Sequence, residues 1–368
     1  MKTLTNIQIL RAFAALMIVV YHSGIETSRL AAGLGGQKLF EEAAWGSGVS
    51  LFFAISGFIM VATTADQFGS WSASVNFLRR RIYRIVPLYW LITTCSLAIL
   101  IAAPSLMPKV PGDHSYIAAS YLFVPQLNLA GDVRPLATQG WTLNLEMLFY
   151  AVFALALLLP RRAGLWLLFG SLGSLVAAHV TGILPGVVLN FWGDPIVLGF
   201  LFGAAAGIAY NRGVRIGRSW SVLLLLIGFA ALLQPGPQNG VEDDLFRRLS
   251  MVLPSALIVL GAALGPQAGK GSLLWRPFLA VGDASYSLYL VNPFLLRALS
   301  IAWKGPLAAA PLWLFISAGL LVCSVAALMT YRYFEKPVTD RLTHSRAARA
   351  RAEGKAPSAT ALPQPSRA

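Results

Sequence analysis

Long apolar stretches separated by short polar segments make up most of this chain. The first stretch, Asn6 to His22, contains two polar residues, Arg11 and His22, in an otherwise apolar helix pattern. Eleven positions at about 100° each amount to three turns plus about 20°, so both side chains leave one face, about 16 Å apart. Because a buried charge in a membrane helix is costly, this stripe indicates a site. The alternative is that Arg11 extends to the cytoplasmic surface and His22 only caps the far end.

The same apolar pattern recurs along the chain and predicts about ten transmembrane helices. About 20 apolar residues are needed to cross a bilayer. The composition, 57% hydrophobic and 12% charged over 368 residues, excludes a soluble domain of this size and predicts an all-α polytopic membrane protein. The predicted spans are 6–24, 46–64, 85–103, 141–160, 164–181, 190–210, 220–235, 248–265, 285–303 and 311–332.

Positive charges predict the orientation of this bundle. With the N-terminus in the cytoplasm, twenty Lys and Arg residues lie inside and seven lie outside, so both termini are expected to be cytoplasmic. The net charge of +14 then reflects topology and not a nucleic-acid partner. We expect residues 1–343 to form one transmembrane domain, and 344–368 a disordered cytoplasmic tail that contacts anionic lipid. Residues 115–126, in the long outer connection, are too few to cross and are expected to be re-entrant or to lie on the surface.

Glu146 and His22 are the first candidates for catalysis. Glu146 lies five residues after Trp141, which we interpret as an anchor at the outer membrane interface. His22 is expected at a similar depth, near the outer end of the first span. A carboxylate beside an imidazole fixes its tautomer and raises its basicity, as a general base requires. The alternative is that Glu146 only forms a hydrogen bond between helices.

A cluster of arginines precedes the third predicted span. Arg79, Arg80, Arg81 and Arg84 lie just before Pro87. Such a cluster is typical of the cytoplasmic side of a membrane helix. Guanidinium groups also bind phosphate oxygens through paired hydrogen bonds, so the cluster could instead hold a polyphosphate.

Other polar positions are candidates for substrate binding or for packing. Asp194, in NFWGDPIVLG, indicates a broken helix that lines a cavity. Tyr286 and Asn292, in SYSLYLVNP, could donate hydrogen bonds to a substrate or join helices. The small residues Ser56 and Gly57 favour close helix packing. No cluster has the spacing of metal ligands, so no metal is expected.

Together these stretches resemble the acyltransferase-3 family of bacterial membrane proteins, closest to its exopolysaccharide-production subgroup. The resemblance runs from Asn6 to about Pro337. It rests on the Arg11 and His22 spacing, FFAISGF at 52–58, the arginine motif at 80–89, WTLNLEMLFY at 141–150, SYSLYL at 285–290 and FEKP at 334–337. Relatives often have a His where this chain has Asn292, which puts a titratable role there in doubt.

The resemblance implies a multi-pass enzyme of the bacterial inner membrane that transfers an acyl group, usually acetyl. The donor would be a cytoplasmic acyl-CoA, and the acceptor a hydroxyl of an exopolysaccharide or a lipid-linked envelope glycan. In that reading, Arg11, Arg80, Arg81 and Arg84 hold the CoA phosphates, and His22 acts as base or acyl relay with Glu146 orienting it. Asp194, Tyr286 and Asn292 would bind the acceptor.

A transporter or flippase of a lipid-linked glycan is the alternative function, since it would also place buried Glu and His residues in a helix bundle. A non-catalytic assembly protein is a further alternative, but it would leave the shared depth of His22 and Glu146 unexplained.

Overall fold

The structure is a computed structural model, and it describes residues 4–33, 45–107, 109–234, 244–269, 272–303 and 311–343. In these ranges the chain is almost entirely helical, and one isolated β-bridge joins Leu127 to Val133. The α-helices are α1 Thr5–Gly33, α2 Gly48–Thr63, α3 Trp71–Ala102, α4 His114–Leu122, α5 Trp141–Leu157, α6 Arg161–Val180, α7 Gly186–Trp192, α8 Leu198–Asn211, α9 Arg218–Leu232, α10 Asp244–Leu264, α11 Arg276–Asp283, α12 Ser285–Trp303 and α13 Leu312–Thr330. The predicted all-α class is confirmed, while the predicted tail, 344–368, lies outside the described residues.

Several helices have the length and composition of membrane spans. Seven segments qualify in the described parts of the chain: Thr5–Leu30, Trp71–Ala102, Thr138–Leu157, Arg161–Val180, Gly186–Asn211, Leu245–Leu264 and Trp313–Thr343. Two shorter apolar helices, Gly48–Thr63 and Arg218–Leu232, accompany them. Each of the ten spans expected from the sequence overlaps a described α-helix, and 190–210 includes the break between α7 and α8. The chain is therefore a multi-pass membrane protein, and the number of ten crossings stays a prediction.

Helix α3 begins well before the predicted start of the third span. It runs without a break from Trp71 through Pro87, so the arginine cluster lies within the helix and not ahead of it. A proline in a helix leaves the carbonyl four residues earlier without its usual donor. Here that carbonyl belongs to Tyr83, and the Thr339 hydroxyl donates to it at 3.4 Å. The predicted span 85–103 lies within this longer helix, so the arginines occupy helical turns that precede the span.

Helix α1 lies among α2, α11, α12 and α13, and α2 in turn packs closely against α8. Two glycines permit this last contact. A Cβ atom at Gly57 would lie 2.0 Å from the carbonyl oxygen of Phe200, and one at Gly203 would lie 2.0 Å from that of Ala54. The predicted packing role of Gly57 is thus confirmed. The neighbouring Ser56 is different, because its side chain lines a cavity.

Candidate active site

Two adjoining cavities lie along α1. The larger, of about 1540 Å³, is lined by His22, and the smaller, of about 120 Å³, is lined by Arg11. Val49 and Tyr289 line both cavities and so form a wall between them. We call them the large cavity and the arginine cavity. The polar stripe of α1 therefore presents one residue to each cavity, which favours the interpretation as a site.

The imidazole of His22 is held by Asn292. The Nδ1 atom of His22 lies 2.5 Å from Oδ1 of Asn292. Pro293 has no N–H for the carbonyl of Tyr289, four residues earlier, and the side-chain nitrogen of Asn292 donates to that oxygen at 2.9 Å. The same nitrogen donates to the carbonyl of Leu288 at 2.8 Å.

These contacts decide the tautomer of the histidine. Because the amide nitrogen of Asn292 is used by two carbonyls, its oxygen is the atom that faces His22. An amide oxygen only accepts, so Nδ1 of His22 carries the proton and Nε2 is left with its lone pair. The ring lines the large cavity, and its Nε2 atom can therefore act as a proton acceptor there.

The predicted role of Asn292 in binding the acceptor is corrected by this arrangement. Its side chain is fully buried, and both of its polar atoms bond to the protein. It cannot offer a hydrogen bond to a ligand without giving up one of these. Asn292 therefore positions His22, a role that the Asn-Pro sequence could have suggested.

Glu146 lies in the arginine cavity and not beside His22. The Tyr150 hydroxyl donates a hydrogen bond to its carboxylate, and the Ser56 hydroxyl lies 3.5 Å from it. Among the described contacts of Glu146 there is none with His22. The expectation that the carboxylate orients the imidazole directly is therefore wrong.

The depth of Glu146 explains the error. The hydroxyls of Thr142 and Tyr289 lie 2.7 Å apart and so mark one level on α5 and α12. Glu146, four residues beyond Thr142, lines the arginine cavity together with Tyr286, which is three residues before Tyr289. Asn292 is three residues beyond Tyr289, so it lies on the opposite side of this level. At 1.5 Å per residue the two levels differ by about 10 Å.

Trp141 was predicted to anchor α5 at the outer membrane interface. In the structure its ring lines the large cavity. The guanidinium of Arg134 lies 5.0 Å from the ring centre, and Phe191 packs edge-on against it. The ring is therefore part of the cavity wall, and its role as an interface anchor stays a prediction.

Arginines from α1 and α3 lie together at the arginine cavity. Arg11, Arg81 and Arg84 all line it, as expected for a shared anion site. Arg11 donates to the hydroxyl of Ser285 at 2.9 Å and to the side chain of Gln8 at 3.2 Å. These contacts hold its guanidinium at the cavity wall.

Arg81 is the arginine most clearly placed for a ligand. Its guanidinium lies over the rings of Phe77 and Tyr150, at 5.5 and 5.7 Å from their centres. Its Nε atom is buried without a hydrogen-bond partner among the described residues. A buried donor without an acceptor is costly, so the site is suited to an anionic ligand. Arg80 is exposed and does not line this cavity.

Tyr286 also lines the arginine cavity, and not the large one. Its hydroxyl donates to the carbonyl of Ile85 at 2.7 Å, which ties α12 to α3. Glu335 was not among the predicted site residues, and its buried carboxylate accepts a hydrogen bond from Ser287 at 2.6 Å. Ser287 belongs to the SYSLYL segment and Glu335 to the FEKP segment, and both segments carry the family resemblance. They are the signal in the sequence that could have indicated this pair.

Asp194 lies where the chain breaks between α7 and α8, as the Gly-Asp-Pro sequence predicted. One carboxylate oxygen accepts from the backbone N–H of Ile196 at 2.9 Å, and the other contacts Arg248 at 2.6 Å. The residue lines the large cavity and is nearly buried. Its observed contacts hold the helix start and Arg248, and its contact with an acceptor stays a prediction.

Comparison with known proteins identifies the family of this chain. A family model described as an acyltransferase domain matches residues 4–331. The exopolysaccharide production protein ExoZ of Rhizobium meliloti (strain 1021) is 34% identical over 302 residues, which cover 80% of this chain and 90% of that protein. No solved structure matches the chain.

Two more distant relatives carry transferase names. Acyltransferase MdmB of Streptomyces mycarofaciens is 25% identical over 347 residues, covering 87% of this chain and 86% of that protein. O-acetyltransferase OatA of Staphylococcus aureus (strain NCTC 8325 / PS 47) is 25% identical over 370 residues, covering 90% of this chain. The match spans 56% of OatA, so just over half of that longer protein corresponds to this chain.

Proposed function

Because this chain belongs to the acyltransferase-3 family and is an acyltransferase, we propose that it moves an acetyl group from cytoplasmic acyl-CoA to a hydroxyl of an exopolysaccharide or another envelope glycan. One observation carries the proposal: an arginine-rich cavity adjoins a larger cavity that contains a histidine of defined tautomer. Two substrates of different chemistry can therefore reach one reaction centre from separate cavities.

The arginine cavity would bind the donor. Arg11, Arg81 and Arg84 are suited to phosphate oxygens because guanidinium groups form paired, charge-assisted hydrogen bonds with them. A cavity of about 120 Å³ is too small for a whole acyl-CoA, so the arginines hold phosphates at its edge. The thioester arm then passes the wall formed by Val49 and Tyr289 to reach His22.

The transfer step uses Nε2 of His22 as the base. It removes the proton of the acceptor hydroxyl while the oxygen attacks the carbonyl carbon of the thioester. The carbon–sulfur bond breaks, and the proton passes from the imidazolium to the leaving thiolate. Asn292 accepts from Nδ1–H throughout, so the ring keeps the orientation and the tautomer that the step requires.

Glu146 acts on the donor side in this proposal. Its carboxylate accepts from Tyr150, whose ring packs against the guanidinium of Arg81. It would set the orientation of that aromatic face and limit the positive charge of the cavity. This role replaces the direct contact with His22 that the sequence suggested.

The proposed topology follows the charge asymmetry. About ten helices of residues 1–343 cross the bacterial inner membrane, with both termini in the cytoplasm and 344–368 as a cytoplasmic tail. The arginine cavity then faces the cytoplasmic supply of acyl-CoA, and the large cavity faces the glycan. This arrangement supports the enzyme over the transporter alternative, because it accounts for both cavities.

The test is acetyl transfer by the purified protein in lipid nanodiscs. Acetyl-CoA labelled in its acetyl group and exopolysaccharide fragments are mixed with the wild type and with His22→Ala, and ester-linked label on glycan is measured. We expect a loss of about 10²–10⁴-fold in the variant with donor binding retained. Normal transfer by His22→Ala would overturn the mechanism. No binding of acetyl-CoA, with transfer from another acyl donor, would overturn the donor assignment alone.

A further inference from the structure

The large cavity has a marked excess of arginine in its lining. Among the described residues, five arginines and three carboxylates line it. They come from α1, the connection before α5, the α7–α8 break, α10 and α12: Arg29, Arg134, Arg247, Arg248, Arg297, Glu26, Asp132 and Asp194. The described lining includes no lysine. Arginine in place of lysine favours planar, paired hydrogen bonds to carboxylate or phosphate.

One carboxylate is shared by two of these arginines. Glu26, about one helical turn beyond His22 on α1, contacts Arg29 at 2.5 Å and Arg297 at 3.3 Å. The side chain of Arg297 is one-third exposed and that of Arg29 is 56% exposed, so both can still reach a ligand. The pairing leaves an excess of positive charge close to the reaction centre.

Arg134 is held from two sides. Its guanidinium lies over the ring of Trp141. Its backbone carbonyl accepts a hydrogen bond from the buried hydroxyl of Tyr116 at 2.6 Å. Burial raises the pKa of Tyr116 to about 12, so this donor keeps its proton at physiological pH. An arginine stacked on an aromatic ring keeps its N–H edge available for an anion. The exposed part of the Trp141 ring can also pack against the apolar face of a sugar.

The position of these arginines is unusual for a membrane protein. In the proposed topology the outer side holds only seven Lys and Arg residues. Four of the seven, Arg29, Arg134, Arg247 and Arg248, line the large cavity. The positive-inside rule leaves basic residues rare on that side, so their concentration at one cavity favours an anionic ligand, although Arg248 is already paired with Asp194.

We propose that the large cavity binds an acidic glycan, an acceptor that carries carboxylate or phosphate groups, with Arg134 and Arg297 as its charge-recognising residues. The proposal rests on the proposed function, since it names the class of acceptor for the same reaction. A volume of about 1540 Å³ exceeds that of most small-molecule sites and suits several sugar units. Arg134 and Arg297 therefore determine which glycans are acylated.

The first test is direct binding without a donor, so that it stands even if no transfer is found. Three probes are compared on the protein in nanodiscs: a uronate-containing oligosaccharide, the same oligosaccharide after reduction of its carboxyls, and a neutral oligosaccharide on a polyprenyl diphosphate. We expect the uronate form to bind at least tenfold more tightly than its reduced form. Preference for the diphosphate probe alone would assign the charge to phosphate. Equal binding of all three would overturn the proposal.

The second test uses variants of the two arginines. Arg134→Gln and Arg297→Gln should each weaken binding of the preferred anionic probe about tenfold and leave the reduced oligosaccharide unaffected, with Arg134→Lys intermediate. Arg218→Gln is the matched control, because Arg218 is exposed and lies outside the cavity. Thermal unfolding of each variant shows whether it is folded. Equal weakening of charged and reduced probes in folded variants would mean a structural role and would refute charge recognition.

Discussion

The Nδ1 atom of His22 lies 2.5 Å from Oδ1 of Asn292, and the following residue, Pro293, accounts for the orientation of that amide. The proline removes the backbone donor for the Tyr289 carbonyl, and the Asn292 side chain replaces it. A gap in the hydrogen bonding of α12 thereby sets the tautomer of a histidine on α1. An Asn can serve here because only an acceptor is needed toward His22 and only donors toward the helix.

This relationship predicts a specific effect of Asn292→Leu. Without the acceptor, His22 can adopt either tautomer and can rotate, so we expect kcat to fall about 10–100-fold, as for other residues that orient a reactive group. The KM for the donor should change less than twofold, because the arginine cavity is untouched. Steady-state kinetics of acetyl transfer, with thermal unfolding in parallel, check this outcome.

Asn292→His is the matched rescue variant. An imidazole can accept from His22 through one nitrogen and donate to a helix carbonyl through the other, so activity should recover to within about tenfold of the wild type. A folded Asn292→Leu variant with the kcat of the wild type would show that Asn292 has no positioning role.

The arginine cavity predicts different effects for neighbouring arginines. Arg81→Lys and Arg84→Lys keep the charge but lose the paired hydrogen bonds, so the Kd for acyl-CoA should rise about tenfold. Arg80→Lys should leave it unchanged, because Arg80 is exposed outside the cavity. Equilibrium binding of a non-hydrolysable acyl-CoA analogue measures all three. Equal effects at the three positions would mean that the cluster acts only as diffuse charge.

The sequence was sufficient for the helices but not for their mutual depths. Apolar runs locate the helices because burial in lipid requires them. The relative depth of two residues depends on where their helices start and on how the helices pack. Helix α3 starts well before Pro87, and Trp141, the first residue of α5, lines the large cavity. Arg81 and Arg84 could be proposed from the sequence because a cluster of arginines is visible there, and both line the arginine cavity. The His22–Asn292 contact was missed because it joins residues 270 positions apart.

The close contact between α2 and α8 predicts a large effect of Gly57→Ala on stability. The new Cβ would lie 2.0 Å from the Phe200 carbonyl oxygen, so the helices must separate. We expect the free energy of unfolding to fall by about 1–3 kcal/mol, which is measured as a lower Tm in lipid nanodiscs. Gly170→Ala on α6 is the control, since apart from the adjacent backbone of its own helix no described atom lies within 4 Å of its Cβ position. Equal Tm values for the two variants would contradict the described packing.

The topology can be tested by cysteine labelling in intact cells. Cys95 and Cys323 are unpaired and are replaced first. Single cysteines are then placed at Leu129, which is 64% exposed before α5, and at the exposed Arg341. A membrane-impermeant maleimide should label position 129 in intact cells, and position 341 only after lysis. Labelling of position 341 in intact cells would reverse the proposed orientation.

His22 and Glu146 should act independently, because they lie at levels about 10 Å apart along the helices. His22→Ala removes the base and is expected to lower acetyl transfer about 10²–10⁴-fold. Glu146→Gln removes the charge that accepts from Tyr150 in the arginine cavity, so it should mainly raise the KM for the donor. The double variant should then combine both losses, within the error of about 0.5 kcal/mol expected for sites without shared partners. Transfer by purified single and double variants, each checked for folding, measures the coupling. A double variant no worse than His22→Ala alone would show that the two residues act as one unit, as catalytic groups in direct contact do.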